Sequence, residues 1–306
     1  MRRLLVLMTI VLSAAVGLAA WGIAAPSGNS AQGVARAVAR HAALPPLPAD
    51  VKNRKRWVIG VKCDFPPFGY LDANGHNQGY DVQVARFFAR YAFGKTNRVT
   101  FICVTTPSRI PALTSKRVDI IISTLTFTKA RAQVIDYSLP YYGATGRLLV
   151  PNNSSIHTLR DLSGKTVATT RGSIYDRWLH NCFQNTQVVL TDTTTNSLLA
   201  LKQGRADTFM FDDAFLVGIA ANDPATKLGT PKFLDVPWGI GIRKGETDMA
   251  AWVNSRIRLM KKRDQFWLIM RHTIPRRFFP IFKSNVPRPK NTLKYPTGAD
   301  PETVCP

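Results

Sequence analysis

Residues 123–131, Ser-Thr-Leu-Thr-Phe-Thr-Lys-Ala-Arg, place spaced hydroxyl groups and one guanidinium directly after an apolar segment. Ser123, Thr124 and Thr126 offer hydroxyl and backbone donors, and Arg131 offers a fork of N–H donors that matches a carboxylate. The pattern indicates an anion-binding site at the end of a strand. The same residues also fit an ordinary strand end followed by a capped helix, with Arg131 in solvent, and the segment alone does not decide between these interpretations.

The composition is that of a globular and strongly basic chain. It has 306 residues, 45% of them hydrophobic, and a formal net charge of +22. The basic residues are scattered, and no basic helix with interleaved aromatic residues is present, so we expect no nucleic-acid binding. The charge is a general surface property that also attracts anionic ligands. No phosphate loop, zinc motif or ordered catalytic triad is visible, so we expect no metal, no cofactor and no enzymatic activity.

The N-terminus indicates export. Met1-Arg2-Arg3 precede an uncharged apolar stretch from Leu4 to Ala25, which is typical of a signal peptide. The stretch is long, so an uncleaved membrane anchor stays open as an alternative. Residues 1–25 are therefore predicted to be a signal peptide or anchor and residues 26–54, rich in Ala, Pro, Ser and Gly, a flexible linker. The rest of the chain is expected in the periplasm or outside the cell.

Four cysteines fit an exported chain, because an even number favours disulfide bonds. Their spacing is not that of metal ligands, and three pairings are possible. Cys63 and Cys103 each end a predicted strand, and those strands should be neighbours. We therefore favour Cys63–Cys103, which leaves Cys182 with Cys305 in the C-terminal tail.

The elements that position these groups alternate between strands and helices, which predicts an α/β fold with parallel sheets. Asp81 is expected to cap a helix that ends near residue 91. We predict two lobes, the second inserted in the first, joined by two extended hinge segments. Lobe 1 is residues 55–143 plus 239–274, lobe 2 is 146–236, and 275–306 is a tail without regular structure. Lys62, Ser123, Thr170 and Phe211 mark strand ends, so the pocket should be the cleft between the lobes.

Several motifs in this order resemble the family-3 solute-binding proteins, the periplasmic amino-acid receptors of ABC importers. The resemblance covers about residues 55–272 and implies the type II periplasmic-binding-protein fold. Its motifs are Asp64-Phe65-Pro66-Pro67-Phe68, Gly79-Tyr80-Asp81, Arg109-Ile110-Pro111-Ala112-Leu113, Thr126-Phe127-Thr128-Lys129-Ala130-Arg131, Asp136-Tyr137-Ser138-Leu139-Pro140, Arg171-Gly172-Ser173, Gly204-Arg205-Ala206-Asp207 with Asp212-Asp213, and Trp238-Gly239-Ile240-Gly241.

The resemblance implies a role for each matching position. Arg131 would hold the ligand α-carboxylate, with Ser123 and Thr126 from the same lobe. Ser173 would be a donor on the second lobe, and Asp212 would receive the α-ammonium. Phe65 would cover the ligand. Three of these residues also have structural interpretations: Asp212 and Ser173 as helix caps, and Phe65 as core packing.

Lys62 carries the expectation for specificity. By resemblance, receptors of acidic amino acids can have a basic residue here, so glutamate or aspartate is the expected ligand, and Arg171 could assist. Lys62 in solvent is the alternative. If Lys62 pairs with Asp64 or Asp212 instead, the argument fails.

The resemblance thus implies a monomer that binds a free amino acid and delivers it to an ABC transporter permease. Two alternatives stay open. One is a membrane-tethered amino-acid sensor, and the other is an exported enzyme similar to cyclohexadienyl dehydratases.

Overall fold

The computed structural model describes residues 44–229 and 231–306. The predicted signal or anchor (1–25) and residues 26–43 of the predicted linker lie outside the described residues. Strands in the described part are β1 (Trp57–Val61), β2 (Asp64–Phe65), β3 (Gly69–Leu71), β4 (Asn77–Gln78), β5 (Val99–Cys103), β6 (Ile120–Ile121), β7 (Ile135–Tyr137), β8 (Thr145–Pro151), β9 (Thr166–Thr170), β10 (Gln187–Thr191), β11 (Thr208–Asp212), β12 (Thr226–Leu228), β13 (Phe233–Asp235) and β14 (Gly241–Arg243).

The helices cover both sheets. They are α1 (Ala49–Arg54), α2 (Tyr80–Phe93), α3 (Arg109–Thr114), α4 (Lys129–Val134), α5 (Ile174–Cys182), α6 (Thr194–Lys202), α7 (Asp213–Asn222), α8 (Thr247–Lys262), α9 (Gln265–Thr273) and α10 (Phe279–Phe282), with short 3₁₀ turns at Leu159–Leu162, Arg276–Phe278 and Pro301–Thr303. None of these helices has both the length and the apolar character of a membrane span.

Two separate main sheets form the two lobes. The sheet of lobe 1 has the order β5-β1-β6-β14-β7, and that of lobe 2 has the order β10-β9-β11-β8-β12, with β13 on β8. β1 pairs in parallel with β5 and β6, and β9 pairs in parallel with β10 and β11. Parallel strands are covered by helices on both faces, which is why apolar runs such as Ile120–Ile121 are fully buried. The predicted two-lobe α/β fold is confirmed.

Two antiparallel segments connect the lobes. The chain leaves lobe 1 after β7 and returns to it at β14, after lobe 2 is complete. At the crossing, the amide of Trp238 donates to the carbonyl of Tyr142 (2.8 Å), and the amide of Tyr141 donates to the carbonyl of Trp238 (3.0 Å). The rings of Tyr142 and Trp238 stack with centroids 4.5 Å apart. The two predicted hinge segments are therefore bonded to each other as a short ladder.

Two local predictions in the N-terminal half of lobe 1 were wrong. Asp81 does not cap α2, because the N-cap residue is Gly79 and the buried Asp81 side chain turns inward to the amide of Thr124. Within the predicted linker, residues 49–54 form helix α1, which is fixed to lobe 1 by buried Val51 and by an ion pair between Arg54 and Asp119.

The C-terminal tail is also more regular than predicted. Residues 275–306 contain α10 and two 3₁₀ turns. Phe278, Phe282 and Val286 are buried in the main hydrophobic core. The tail is ordered by contacts with distant parts of the chain, and its Pro-rich local sequence does not predict these contacts.

The disulfide prediction is confirmed. Cys63 bonds to Cys103, and Cys182 bonds to Cys305. The first bond joins the ends of the adjacent strands β1 and β5, inside lobe 1. The second joins helix α5 of lobe 2 to the C-terminal tail.

We predict that the Cys63→Ser/Cys103→Ser variant folds but is less stable. The bond closes a loop with a sequence separation of 40 residues, and loops of this size correspond to roughly 2–4 kcal/mol of unfolding free energy. Urea unfolding without ligand, followed by circular dichroism, measures the change. An unfolding midpoint equal to that of the wild type would show that the bond does not constrain the unfolded chain.

Candidate functional site

A cavity lies between the lobes, where the carboxyl ends of strands from both sheets meet. Its lining combines residues of both lobes: Thr106, Arg109, Thr124, Thr126, Ser173, Ile174, Tyr175, Phe211 and Asp212. The cavity measures about 10 Å³, which is room for roughly one water molecule. Any larger ligand must therefore enter while the lobes are apart.

A larger groove of about 470 Å³ lies on lobe 1 alone, between α2 and α9. Its walls carry glutamines, a tyrosine and an exposed histidine, and no buried charged side chain. The small cavity between the lobes is the better candidate, because charged groups of opposite sign surround it.

Arg131 extends from lobe 1 across the cleft. Helix α4 begins after Thr128, whose hydroxyl accepts the amide hydrogen of Arg131 (3.1 Å), and this fixes the start of the helix. The guanidinium, on a residue only 6% exposed, donates from Nη1 to the carbonyl of Thr126 (2.7 Å) and from Nη2 to the carbonyl of Gly172 (2.9 Å). Gly172 belongs to lobe 2, so Arg131 contacts backbone oxygens of both lobes.

The segment between β6 and α4 is held in an unusual backbone conformation. Thr124 has φ of 48°, in the left-handed region that residues with a side chain rarely adopt. Its amide donates to Asp81 Oδ2 and to the hydroxyl of Tyr141, both at 3.2 Å. Burial raises the pKa of Asp81 to about 7, against the lowering effect of its hydrogen bonds from Tyr141 and Thr124. These buried groups position the predicted donors Thr124 and Thr126.

Arg109 also stabilises the segment between β6 and α4. Its Nη1 donates to the carbonyl oxygens of Ser123 (2.8 Å) and Thr124 (3.1 Å). Burial, and then the charge of Arg131, lower the pKa of Arg109 to about 9. In the part of the chain that the structure describes, the Ser123 hydroxyl and Arg109 Nε are buried without a hydrogen-bond partner. Buried polar atoms are usually paired, so these two are exceptions in the described part of the chain.

Lobe 2 contributes the N-terminus of helix α5. The hydroxyl of Ser173 accepts the amide hydrogen of Asp176 (3.1 Å) and lies 3.4 Å from the hydroxyl of Thr169. Ser173 is thus a helix cap that also lines the cavity, and its role as a ligand donor stays a prediction.

Asp212 is the buried carboxylate of lobe 2. Its Oδ1 accepts a hydrogen bond from the hydroxyl of Tyr175 (2.7 Å), and the residue is 4% exposed. Burial raises its pKa to about 7; the Tyr175 hydrogen bond, Arg109 and Arg131 act in the opposite direction. Its side chain makes no capping hydrogen bond to helix α7. The interpretation of Asp212 as a helix cap is therefore not supported by its contacts.

Lys62 is fully buried at the end of β1. Its Nζ donates to the hydroxyl of Thr106 (2.9 Å) and lies 3.6 Å from Asp64 Oδ1. Burial lowers the pKa of Lys62 to about 8, while Asp64 raises it. Asp64 also accepts the amide hydrogen of Thr194 (2.7 Å), at the start of α6 in lobe 2. Lys62 is thus neither solvated nor unpaired, and the condition under which the argument for an acidic ligand fails is met.

Five predicted site residues are not among those that line the cavity: Lys62, Phe65, Ser123, Arg131 and Arg171. Two of them lie furthest from their expected role. Phe65 packs in the core against Phe68, Phe211, Phe215 and Trp238, and only Phe211 among these reaches the cavity. The Arg171 side chain is 56% exposed and pairs with Asp192 at 3.1 Å. It therefore points to the surface of lobe 2.

Several residues of the site were not predicted as such from the sequence: Thr106, Arg109, Tyr175 and Asp81. Thr106 lies three residues after β5, so the rule about strand ends could have found it. Arg109 stands in a recognised motif, but its role depends on carbonyl oxygens 14 and 15 residues away. No sequence pattern marks Tyr175 as a site residue, because a tyrosine in the first turn of a helix usually packs in the core.

Comparisons with known proteins agree with this geometry. A model of the bacterial extracellular solute-binding proteins, family 3, matches residues 57–272. The ABC transporter glutamine-binding protein GlnH of Bacillus subtilis is 30% identical over 215 residues, 70% of this chain and 79% of the relative. The glutamine-binding protein of Geobacillus stearothermophilus is 33% identical over 196 residues, 63% of this chain and 75% of the relative.

A solved structure of similar fold is the cysteine-binding protein of Campylobacter jejuni, with a TM-score of 0.72 and 29% identity, covering 74% of this chain and 91% of that one. The structure of holo ArgBP from T. maritima has a TM-score of 0.67 and 33% sequence identity. The match covers 74% of this chain and 100% of that one. Since the family model spans both lobes and the cavity between them, this chain belongs to the bacterial extracellular solute-binding proteins of family 3.

Proposed function

We propose that this protein binds a free L-amino acid between its lobes, outside the cytoplasm, and presents it to the permease of an ABC transporter. One observation carries the proposal: Arg131 of lobe 1 and Asp212 of lobe 2, with opposite charges, are both buried where the lobes meet. Asp212 lines the interlobe cavity, and Arg131 lies beside it, bonded to the carbonyl of the cavity residue Thr126 and to that of Gly172 on lobe 2. A zwitterion needs a cation, an anion and a cleft without water, and charged hydrogen bonds are strongest where water is excluded.

The α-carboxylate binds to Arg131 in this proposal. Its guanidinium now donates to carbonyl oxygens, which are weaker acceptors than a carboxylate. The unpaired hydroxyl of Ser123, the hydroxyl of Thr126 and the N-terminal end of α5 at Ser173 add donors around the same oxygens. A helix N-terminus favours an anion through its free amide groups and its dipole.

The α-ammonium binds to Asp212. Tyr175 orients this carboxylate from one side and leaves its second oxygen for the ligand. The ligand then bridges the lobes, with its carboxylate on lobe 1 and its ammonium on lobe 2, so binding and closure stabilise each other.

The ligand side chain is expected near Lys62 and Thr106, and the pairing of Lys62 with Asp64 changes the expected specificity. Because Asp64 offsets the charge of Lys62, an acidic side chain gains little there, and we no longer favour glutamate or aspartate. A donor and acceptors placed together match an uncharged side chain that both donates and accepts, such as a carboxamide. Two of the relatives are glutamine-binding proteins, in keeping with this ligand class.

The remaining parts of the proposal follow from the family. The family is described as extracellular, which fits the predicted export signal at 1–25. We propose that the closed form docks as a monomer on the permease, since closure is the change that reports the presence of ligand.

We predict that Arg131→Ala weakens amino-acid binding by roughly 100-fold or more, because two charge-assisted hydrogen bonds are lost. Isothermal titration calorimetry measures the loss, with L-glutamine first and then whichever of the twenty amino acids gives the largest thermal shift. The matched control is Arg171→Ala, which removes an exposed arginine of lobe 2 and should bind as the wild type does. Undiminished binding by Arg131→Ala would disprove the assigned site.

Binding should weaken at acidic pH. The pKa of Asp212 is about 7, and only its ionised form attracts an ammonium group. Below this pKa the carboxylate must lose a proton before it binds the ligand, so the dissociation constant should rise about tenfold per pH unit towards pH 5. A free amino acid keeps both of its charges over this range.

Titration calorimetry at several pH values tests this coupling. Asp212→Asn should bind weakly with little dependence on pH. Asp81 has a similar pKa but lies behind Thr124, so Asp81→Asn should keep the slope. A flat profile in the wild type would exclude Asp212 as the group that receives the ammonium.

Specificity should change when Lys62 loses its partner. Asp64→Asn keeps the size of the side chain and an oxygen for the amide of Thr194, but it leaves the charge of Lys62 uncompensated. We expect the preference to move from uncharged towards acidic amino acids. A thermal-shift comparison of glutamine with glutamate measures the change, with Asp192→Asn at the exposed ion pair of lobe 2 as control. If the wild type already prefers glutamate, the proposed role of Asp64 is wrong.

A further inference from the structure

The last residues of the chain contact both lobes. We name residues 295–306 the strap. On lobe 1, the hydroxyl of Tyr295 donates to the carbonyl of Ser138 (2.7 Å), and its ring stacks on Phe127 with centroids 4.6 Å apart. Further on, the carboxylate of Asp300 accepts the amide hydrogen of Lys129, at 2.7 and 3.0 Å from its two oxygens. Lys129 is the first residue of α4, the helix that carries Arg131.

The end of the strap is attached to one side of helix α5 in lobe 2. Arg177 pairs with Glu302 (3.3 Å), and Asn181 donates to the carbonyl of Glu302 (2.9 Å). Trp178 Nε1 donates to the carbonyl of Val304 (2.8 Å). The Cys182–Cys305 disulfide then makes this attachment covalent. Helix α5 begins beside Ser173, so the strap joins the two helices that carry ligand groups.

The part of the strap that crosses the cleft is very short. Asp300, bound to lobe 1, and Glu302, bound to lobe 2, are two residues apart, which an extended chain spans with at most about 7 Å. When the lobes separate, the disulfide keeps Cys305 on α5, and Glu302 is held beside it by both Arg177 and Asn181. Asp300 holds lobe 1 through a single backbone amide, so its contact with Lys129 is the weaker one and is expected to break first. The next contact with lobe 1 is Tyr295, seven residues from Glu302, which allows a span of roughly 23–25 Å.

We propose that the strap is a tether that favours the closed form and limits how far the cleft opens, with Asp300 as its releasable contact. In the closed form every contact of the strap is made. Opening costs the hydrogen bonds of Asp300 while the bond to Cys182 persists, so the equilibrium between open and closed forms moves towards closed. The amino acid should then leave slowly, because dissociation requires opening.

A purely structural role would give a different result. If the strap only covers the core, its removal lowers stability without changing the separation of the lobes or the rate of ligand release. The two roles are therefore distinguished by measurements of opening, not by unfolding alone.

The first experiment uses the ligand-free protein and is independent of the proposed function. Small-angle X-ray scattering should give a larger radius of gyration for Asp300→Ala and for Cys182→Ser/Cys305→Ser than for the wild type. Two controls should leave it unchanged: Cys63→Ser/Cys103→Ser, whose disulfide lies inside lobe 1, and Arg288→Ala, which removes an ion pair between the tail and Asp264 of lobe 1.

The second experiment measures ligand release and relies on the proposed function. Stopped-flow tryptophan fluorescence with L-glutamine should show koff increased roughly two- to tenfold in Asp300→Ala, the range for one lost intramolecular hydrogen bond. Arg288→Ala should release ligand at the wild-type rate. The tether is disproved if both strap variants match the wild type in radius of gyration, or if the controls change as much as the strap variants. Loss of the proposed function would show separately, as amino-acid binding that does not depend on Arg131.

Discussion

The guanidinium of Arg131 lies between the two lobes, and it donates hydrogen bonds to carbonyl oxygens on each of them. A buried cation must have polar partners in every state of the protein, because leaving it unpaired costs more than any single contact contributes. Backbone carbonyls satisfy it in the closed arrangement without ligand. A carboxylate satisfies it better, and this difference in partner strength is what an amino acid can use to hold the lobes together.

Burial makes the charged form of the other titratable groups near the cavity less favourable than it would be in water. Burial lowers the pKa of Lys62 and Arg109 and raises that of Asp81 and Asp212. Each is therefore sensitive to a new charge close by. In the proposed complex, a zwitterion supplies one charge of each sign at the two places where it is favourable, so the site would discriminate in favour of α-amino acids before any contact with the side chain.

The sequence predicted what depends on local pattern. The alternation of strands and helices and the division into two lobes were predicted correctly, because both follow from apolar patterns that repeat along the chain. The disulfide pairing also followed from strand order. The partners of Lys62 and the surface position of Arg171 did not follow, because they depend on side-chain direction and on residues such as Thr106 and Asp192 that are distant in sequence.

The C-terminal tail shows the same limit most clearly. Pro-rich sequence predicts irregular structure when only local propensity is considered, yet the tail is ordered by Trp178, Arg177 and a disulfide to α5. These contacts also give it a mechanical consequence that no motif encodes. A receptor that closes on its ligand by rigid-body motion usually leaves its hinge to set the range of movement. Here a second connection runs between the helices that carry Arg131 and Ser173, far along the chain from the hinge segments at Tyr142 and Trp238. Two connections at different places on the same pair of lobes constrain the motion more than either does alone, so the proposed tether would make the affinity for the amino acid depend on residues that never contact it.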